Sequence, residues 1–158
     1  MFDYRYFQAN KITPRFPFGF GLTYTNFTYG DVSASSKSFQ SAPQSPPNPD
    51  QRIPGGVKSL FDVLATVNLD VTNSGSFDAA EVVQVYAQFP GEEIHVLRGF
   101  DKRNIPRGQT KKFTVDLTRR DLSRWDVETQ QWLLPKGTIR VLVGASSEDV
   151  RGSVDLSR

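Results

Sequence analysis

Residues 61–71 read Phe61-Asp62-Val63-Leu64-Ala65-Thr66-Val67-Asn68-Leu69-Asp70-Val71. Every second residue from Phe61 to Val71 is apolar, and Asp62, Thr66, Asn68 and Asp70 fill most of the alternate positions. A repeat of two puts one set of side chains on one face of an extended chain, so this stretch is predicted to be a half-buried strand. Asn73-Ser74-Gly75-Ser76 supplies a turn after it, and Glu81 to Phe89, with Val82, Val83, Val85 and Tyr86, reads as the next strand, ended by Pro90-Gly91. Further strands are expected at Ile94 to Phe100, Gln109 to Leu117, Trp132 to Leu134, Thr138 to Ala145 and Gly152 to Leu156. Turn signals such as Pro106-Arg107-Gly108 and Pro135-Lys136-Gly137 separate them. Thr118 is placed to cap a single helical turn through Asp121, Leu122 and Ser123. Short strands at this spacing indicate an all-β fold, an antiparallel β-sandwich.

Working back towards the N-terminus, Leu22 to Val32 is rich in aromatic, Thr and Val residues and reads as the first strand. Residues 1–20 form an aromatic leader broken by Pro14 and Pro17, which fits an irregular segment packing its rings against a neighbour. The domain proper is then 21–158, with a long Pro/Ser-rich insertion at 33–57. That insertion holds Pro43, Pro46, Pro47, Pro49 and the pair Gly55-Gly56, and it is expected to bury too little surface to offset its ordering entropy. It reads as a mobile insertion or a segment laid across a neighbouring surface.

Composition narrows the function classes. The 158 residues suffice for one domain, and net charge is only +2 with both signs interspersed, so no nucleic-acid surface is implied. The absence of cysteine removes disulfides, thiolate nucleophiles and thiolate metal sites together. Neither a signal peptide nor an apolar run long enough to span a bilayer is visible, so no membrane partner is expected.

Two stretches carry a further resemblance. Arg15-Phe16-Pro17-Phe18-Gly19-Phe20-Gly21-Leu22-Thr23-Tyr24-Thr25-Asn26-Phe27 resembles the segment by which glycoside hydrolase family 3 β-glucosidases enter their last domain. Asp70 to Gly75, Glu81 to Tyr86, Leu97 to Lys102, Leu117 to Val127 and Gly144 to Arg151 follow one another as in that family's C-terminal fibronectin type III-like domain, an immunoglobulin-like sandwich. The likeness is greatest to the fungal enzymes. It implies that Met1 is an added or spurious start and that the leader is a remnant of the preceding domain or of a linker. It also implies a non-catalytic accessory domain of a secreted, retaining β-glucosidase whose Asp nucleophile and Glu acid/base lie elsewhere.

Docking on the parent's catalytic domains is expected to use Phe16, Phe18, Phe20 and Tyr24. Two other roles fit: a polymer-binding module for cellulose or lignin through exposed Phe and Tyr rings, or an insertion that shapes the parent's active-site entrance. Asn26-Phe27-Thr28 matches an N-glycosylation sequon.

No catalytic residue, cofactor or metal ligand is expected within the chain. Retaining hydrolysis needs two carboxyl groups about 5 to 5.5 Å apart across the sugar bond, and the neighbours Glu92 and Glu93 point apart on an extended chain. Ser123-Arg124-Trp125-Asp126 superficially resembles the Ser-Asp-Trp around the family nucleophile, but its order differs and it belongs to a block of the accessory domain; Trp125 is expected in the core or between the sheets. His95, the sole histidine, is expected as a partly exposed strand residue. Lys11, Arg15, Lys102, Arg103, Arg107, Lys111 and Lys112 read as a solvated surface.

Overall fold

The computed structural model describes residues 2–158, so the reading of Met1 as an added start lies outside the described residues. Two antiparallel sheets face each other. In the first, β5 (Val63–Asn73) is the centre: β8 (Thr110–Thr118) pairs along one edge, and β1 (Phe27–Tyr29) and β2 (Ser33–Ser35) share the other. In the second the order is β12 (Val150–Leu156), β11 (Ile139–Gly144), β6 (Ala79–Gln88), β7 (His95–Ile105). Inward residues of both sheets, among them Val67, Leu69, Val83, Val85, Phe113, Leu117, Val141 and Val143, form one buried cluster. This is the antiparallel β-sandwich that alternation predicts.

The two-residue repeat holds from Ala65 onward. Phe61 instead ends a short 3-10 helix (Lys58–Phe61), and Phe61 and Val63 are exposed. A bulge between Val63 and Ala65 turns Leu64 inward, since one extra residue inverts the alternation on its near side. At the far end of β5, Asn73 is fully buried and fully bonded. Its amide nitrogen donates to the Phe77 and Ile105 carbonyls, and its oxygen accepts from the Thr25 hydroxyl and the Gly75 amide. It therefore ties the turn, β7 and the chain entering β1 to one point.

Several expectations need correction. The first strand is not continuous over Leu22 to Val32: β1 starts at Phe27, and Leu22 and Tyr24 are 90% and 93% exposed. The edge of β5 that would hold them ends at Asn73, so residues 22–24 have no strand to pair with. The pairing breaks after Tyr29 and resumes as β2 on the same edge. β7 runs to Ile105, beyond the apolar stretch, because β6 offers partners along its whole length.

The expectation that the insertion at 33–57 buries too little surface to offset its ordering entropy is overturned. It contains β2, helix α2 (Lys37–Ser41) and a small hairpin of β3 (Arg52–Ile53) and β4 (Gly56–Val57). Phe39 of α2 is completely buried and Ala42 nearly so, both within the core cluster. One large ring, placed by a helix too short to show a periodicity, anchors a segment whose composition is otherwise that of a loop.

Trp125 is also misplaced by the sequence reading. It lies on β9 (Arg124–Asp126), which pairs only with β10 (Gln131–Leu133), and it is 46% exposed. A two-stranded ribbon outside both sheets cannot bury both faces. The turn at Thr118 forms as expected: Asp121 accepts from the Thr118 amide and hydroxyl at 2.8 and 2.6 Å, and the Leu122 amide reaches the Thr118 carbonyl.

Candidate functional site

The leader forms a third layer on the outer face of the second sheet. Its first element is a short helix α1 (Tyr4–Ala9), followed by an irregular chain through Phe20. Outward residues of β6 that would otherwise meet solvent, Gln84 and Tyr86, are buried. Tyr4 lies edge-on to Tyr86 at 6.2 Å between ring centroids, and Phe18 stacks on Tyr4 at 4.6 Å. Burial drives the Tyr86 and Tyr4 phenols above their ordinary range.

Polar bonds fix the layer's position. The Tyr4 hydroxyl accepts from the Leu97 amide at 2.8 Å, and the Phe18 carbonyl accepts from the Ser147 amide at 2.9 Å. Gln84 donates through Nε2 to the Gly19 carbonyl at 3.0 Å and the Ala145 carbonyl at 2.7 Å, while its Oε1 accepts from the Tyr86 hydroxyl at 2.6 Å. His95, at the start of β7, has Nε2 2.9 Å from the Ser147 carbonyl and 2.8 Å from the Gln8 side-chain amide. Burial lowers the His95 pKa, and the Ser147 carbonyl opposes that shift. The sole histidine is thus a fastening point for the leader, which its sequence context did not signal.

With the backbone so held, one set of rings faces the sheet and another faces out. Phe16 and Phe20 lie 5.4 Å apart and are 64% and 46% exposed, Phe18 is 44% exposed, and Tyr24 projects almost wholly into solvent. Phe2, Tyr6, Phe7 and Ile12 are also exposed. Large apolar side chains gathered on one rigid segment are the feature of this molecule that a solvated surface does not account for. A shallow groove of about 460 Å³ borders them, lined in part by Phe20, Asn26, Glu81 and Arg151. Of its lining, Glu81 accepts from the Tyr29 hydroxyl at 2.8 Å, and the Arg151 guanidinium lies 4.8 Å from the Tyr29 ring centroid. Burial raises the Glu81 pKa, partly offset by the Tyr29 hydrogen bond.

Asn26 is exposed and precedes β1; its backbone carbonyl accepts from Ser74, leaving the side chain outside the pairing. Glu92 and Glu93 part as expected, Glu92 pairing with Arg124 and Glu93 with Lys11. Among the basic residues, Arg103 pairs with Asp101, and Lys102, Arg107, Lys111 and Lys112 are exposed. No group of three metal-ligating side chains occurs among the described residues.

Comparison with known proteins sharpens the picture. The family described as fibronectin type III-like domain matches residues 81–147. A probable β-glucosidase M of Aspergillus niger is 47% identical over 148 residues, covering 94% of this chain and 19% of that protein. The crystal structure of β-D-glucoside glucohydrolase from Trichoderma reesei superposes with a TM-score of 0.90 at 41% identity, over 98% of this chain and 22% of that one. The GH3 β-glucosidase of Bifidobacterium adolescentis matches with a TM-score of 0.75 at 28% identity, over 97% of this chain and 20% of that one. The chain spans about a fifth of the length of the curated relatives it matches.

Proposed function

The chain belongs to the family 3 β-glucosidases as their non-catalytic fibronectin type III-like domain, and from that premise we propose that it stabilises its parent enzyme by docking on the catalytic domains. The observation that carries this is the outward ring set: Phe16, Phe18 and Phe20 on a leader whose backbone is bonded to the sandwich, with Tyr24 just beyond it. The leader itself we read as the end of the preceding domain. Rings already held in place lose little further backbone entropy on docking, so covering them is favourable. The exposed portions of these four rings amount to roughly 500 Å², which corresponds to about 12 kcal/mol of gross transfer free energy when fully covered. Even partial cover would be a large share of a domain's marginal stability. The insertion, tied back to the sandwich through Phe39, gives less support to a reach towards the parent's active-site entrance. The parent enzyme is read as a secreted β-glucosidase.

The test compares Tyr24→Ser and Phe16→Ser in the full-length parent and in this chain alone. Docking predicts a fall in melting temperature of several degrees in the parent and essentially none in the isolated chain, where both rings already face water. Equal behaviour in the two settings would remove the docking role.

A further inference from the structure

The chain has only two tryptophans, and β9 and β10 bring them together. Trp125 and Trp132 are direct cross-strand partners, with rings edge-to-face at 5.7 Å between centroids. They form one wall of a groove of about 280 Å³ whose other wall belongs to the insertion, with Pro46, Pro49 and Arg52 among its residues. This site shares no lining residue with the docking rings of the leader.

Both walls are preset. The Leu134 amide, at the end of β10, donates to the Gln44 carbonyl at 3.0 Å, and Leu134 itself is fully buried. Arg119 donates to the Pro43 carbonyl at 2.8 Å, the Ser59 hydroxyl to the Pro47 carbonyl at 2.7 Å, and the Lys58 amide to the Gln51 carbonyl at 2.8 Å. The Arg120 guanidinium lies 5.4 Å from the Trp132 ring centre and packs over that indole. These bonds span the insertion and the hairpin, so the groove exists before any ligand arrives.

The lining chemistry selects the ligand. No carboxylate lines the groove, so it is not a cation site. Arg52 and Gln131 border it, and among the described residues neither side chain has a hydrogen bond or ion pair. A single guanidinium beside an uncharged amide is too little positive charge for a polyanion. Aromatic faces beside a few hydrogen-bond donors suit a neutral ring with apolar faces and a hydroxylated edge. A β-linked glucopyranose has that form: its hydroxyls are equatorial, leaving both ring faces as C–H surface. We propose that the Trp125–Trp132 groove is a carbohydrate-binding subsite for a β-linked glucan segment, the sugar face stacking on indole and its hydroxyls meeting Arg52 and Gln131.

Because no other tryptophan is present, fluorescence excited selectively at the indole reports on this groove alone. The chain is titrated with cellotetraose, with maltotetraose and with a lignin-type phenolic dimer. The expected result is a saturable tryptophan response to cellotetraose, at least tenfold weaker with maltotetraose, and an affinity reduced at least tenfold in Trp125→Ala. Arg52→Ala and Gln131→Ala leave the hairpin pairing untouched, so they serve if the tryptophan variant perturbs the fold; each is expected to weaken binding severalfold with an unchanged circular dichroism spectrum. A flat cellotetraose titration overturns the proposal, as does a response to the phenolic dimer alone, equal binding of maltotetraose, or wild-type affinity in both Arg52→Ala and Gln131→Ala.

Discussion

Replacing Gly19 by alanine should release the leader from the sandwich. Gly19 has φ near +80°, and a Cβ built there would stand 2.1 Å from Gln84 Oε1 and 2.6 Å from its Nε2. The left-handed conformation alone costs an L-residue about 1–2 kcal/mol. The clash is more serious, because Gln84 is buried and cannot move without giving up its bonds to the Gly19 and Ala145 carbonyls and to the Tyr86 hydroxyl. Each buried polar group left unpaired costs about 1–3 kcal/mol. With two such groups orphaned the sum is about 3–8 kcal/mol, and it falls on the docking of residues 2–20 rather than on the sandwich, which can keep its core while the leader detaches.

A local readout is therefore needed, and native-state hydrogen exchange provides one. The Ser147 and Leu97 amides, bonded to the Phe18 carbonyl and the Tyr4 hydroxyl, should exchange at least about 100-fold faster in Gly19→Ala, while amides between β6 and β11 keep their protection. Adding Gln84→Ala removes the obstructing side chain, so the double variant should cost less than the two single changes added together. Wild-type exchange at Ser147 and Leu97 in Gly19→Ala would refute the reasoning and leave the leader as a loosely attached tail.

Three further outcomes are expected. Phe39→Ala should lower unfolding free energy by about 3–5 kcal/mol, as a fully buried ring does; a loss below about 1 kcal/mol in denaturant titration would show that α2 is peripheral to the core. His95, with a folded pKa below its ordinary 6.5, binds its proton more readily in the unfolded chain, so stability is complete above pH 6.5 and declines as pH falls from there towards the folded value. His95→Gln should flatten that decline in melting temperature against pH, and an unaltered profile would place the titrating group elsewhere. Asn26, exposed ahead of β1, is proposed as a glycan acceptor: protein secreted from a fungal host should lose mass on glycosidase treatment, Asn26→Gln should lose that shift, and identical mobility of the two proteins would dismiss the site.

Sequence alone determined the sandwich, because a strand buried on one face must repeat every two residues, and Ala65 to Val71, Phe113 to Leu117 and Ile139 to Val143 carry that repeat in their own order. It also pointed to the leader's rings, since so many aromatics around Pro14 and Pro17 need a surface to cover. Only the tertiary structure decided which rings face inward and which face out. Tyr4, turned onto Tyr86, differs from Phe16 and Tyr24 through the bonds that Gln84, Leu97 and Ser147 make to the leader, and those partners lie scores of residues away. The same holds for Phe39 and Trp125. A single ring in a polar stretch carries no periodicity, so its burial depends on whether a cavity waits for it in the fold. Trp125 sits in a short strand like any other by composition, and it is exposed because the ribbon it forms joins neither sheet. Local repeats record which face of an element is buried; what lies against that face is settled by contacts distant in sequence, and those decided the outward ring set and the groove.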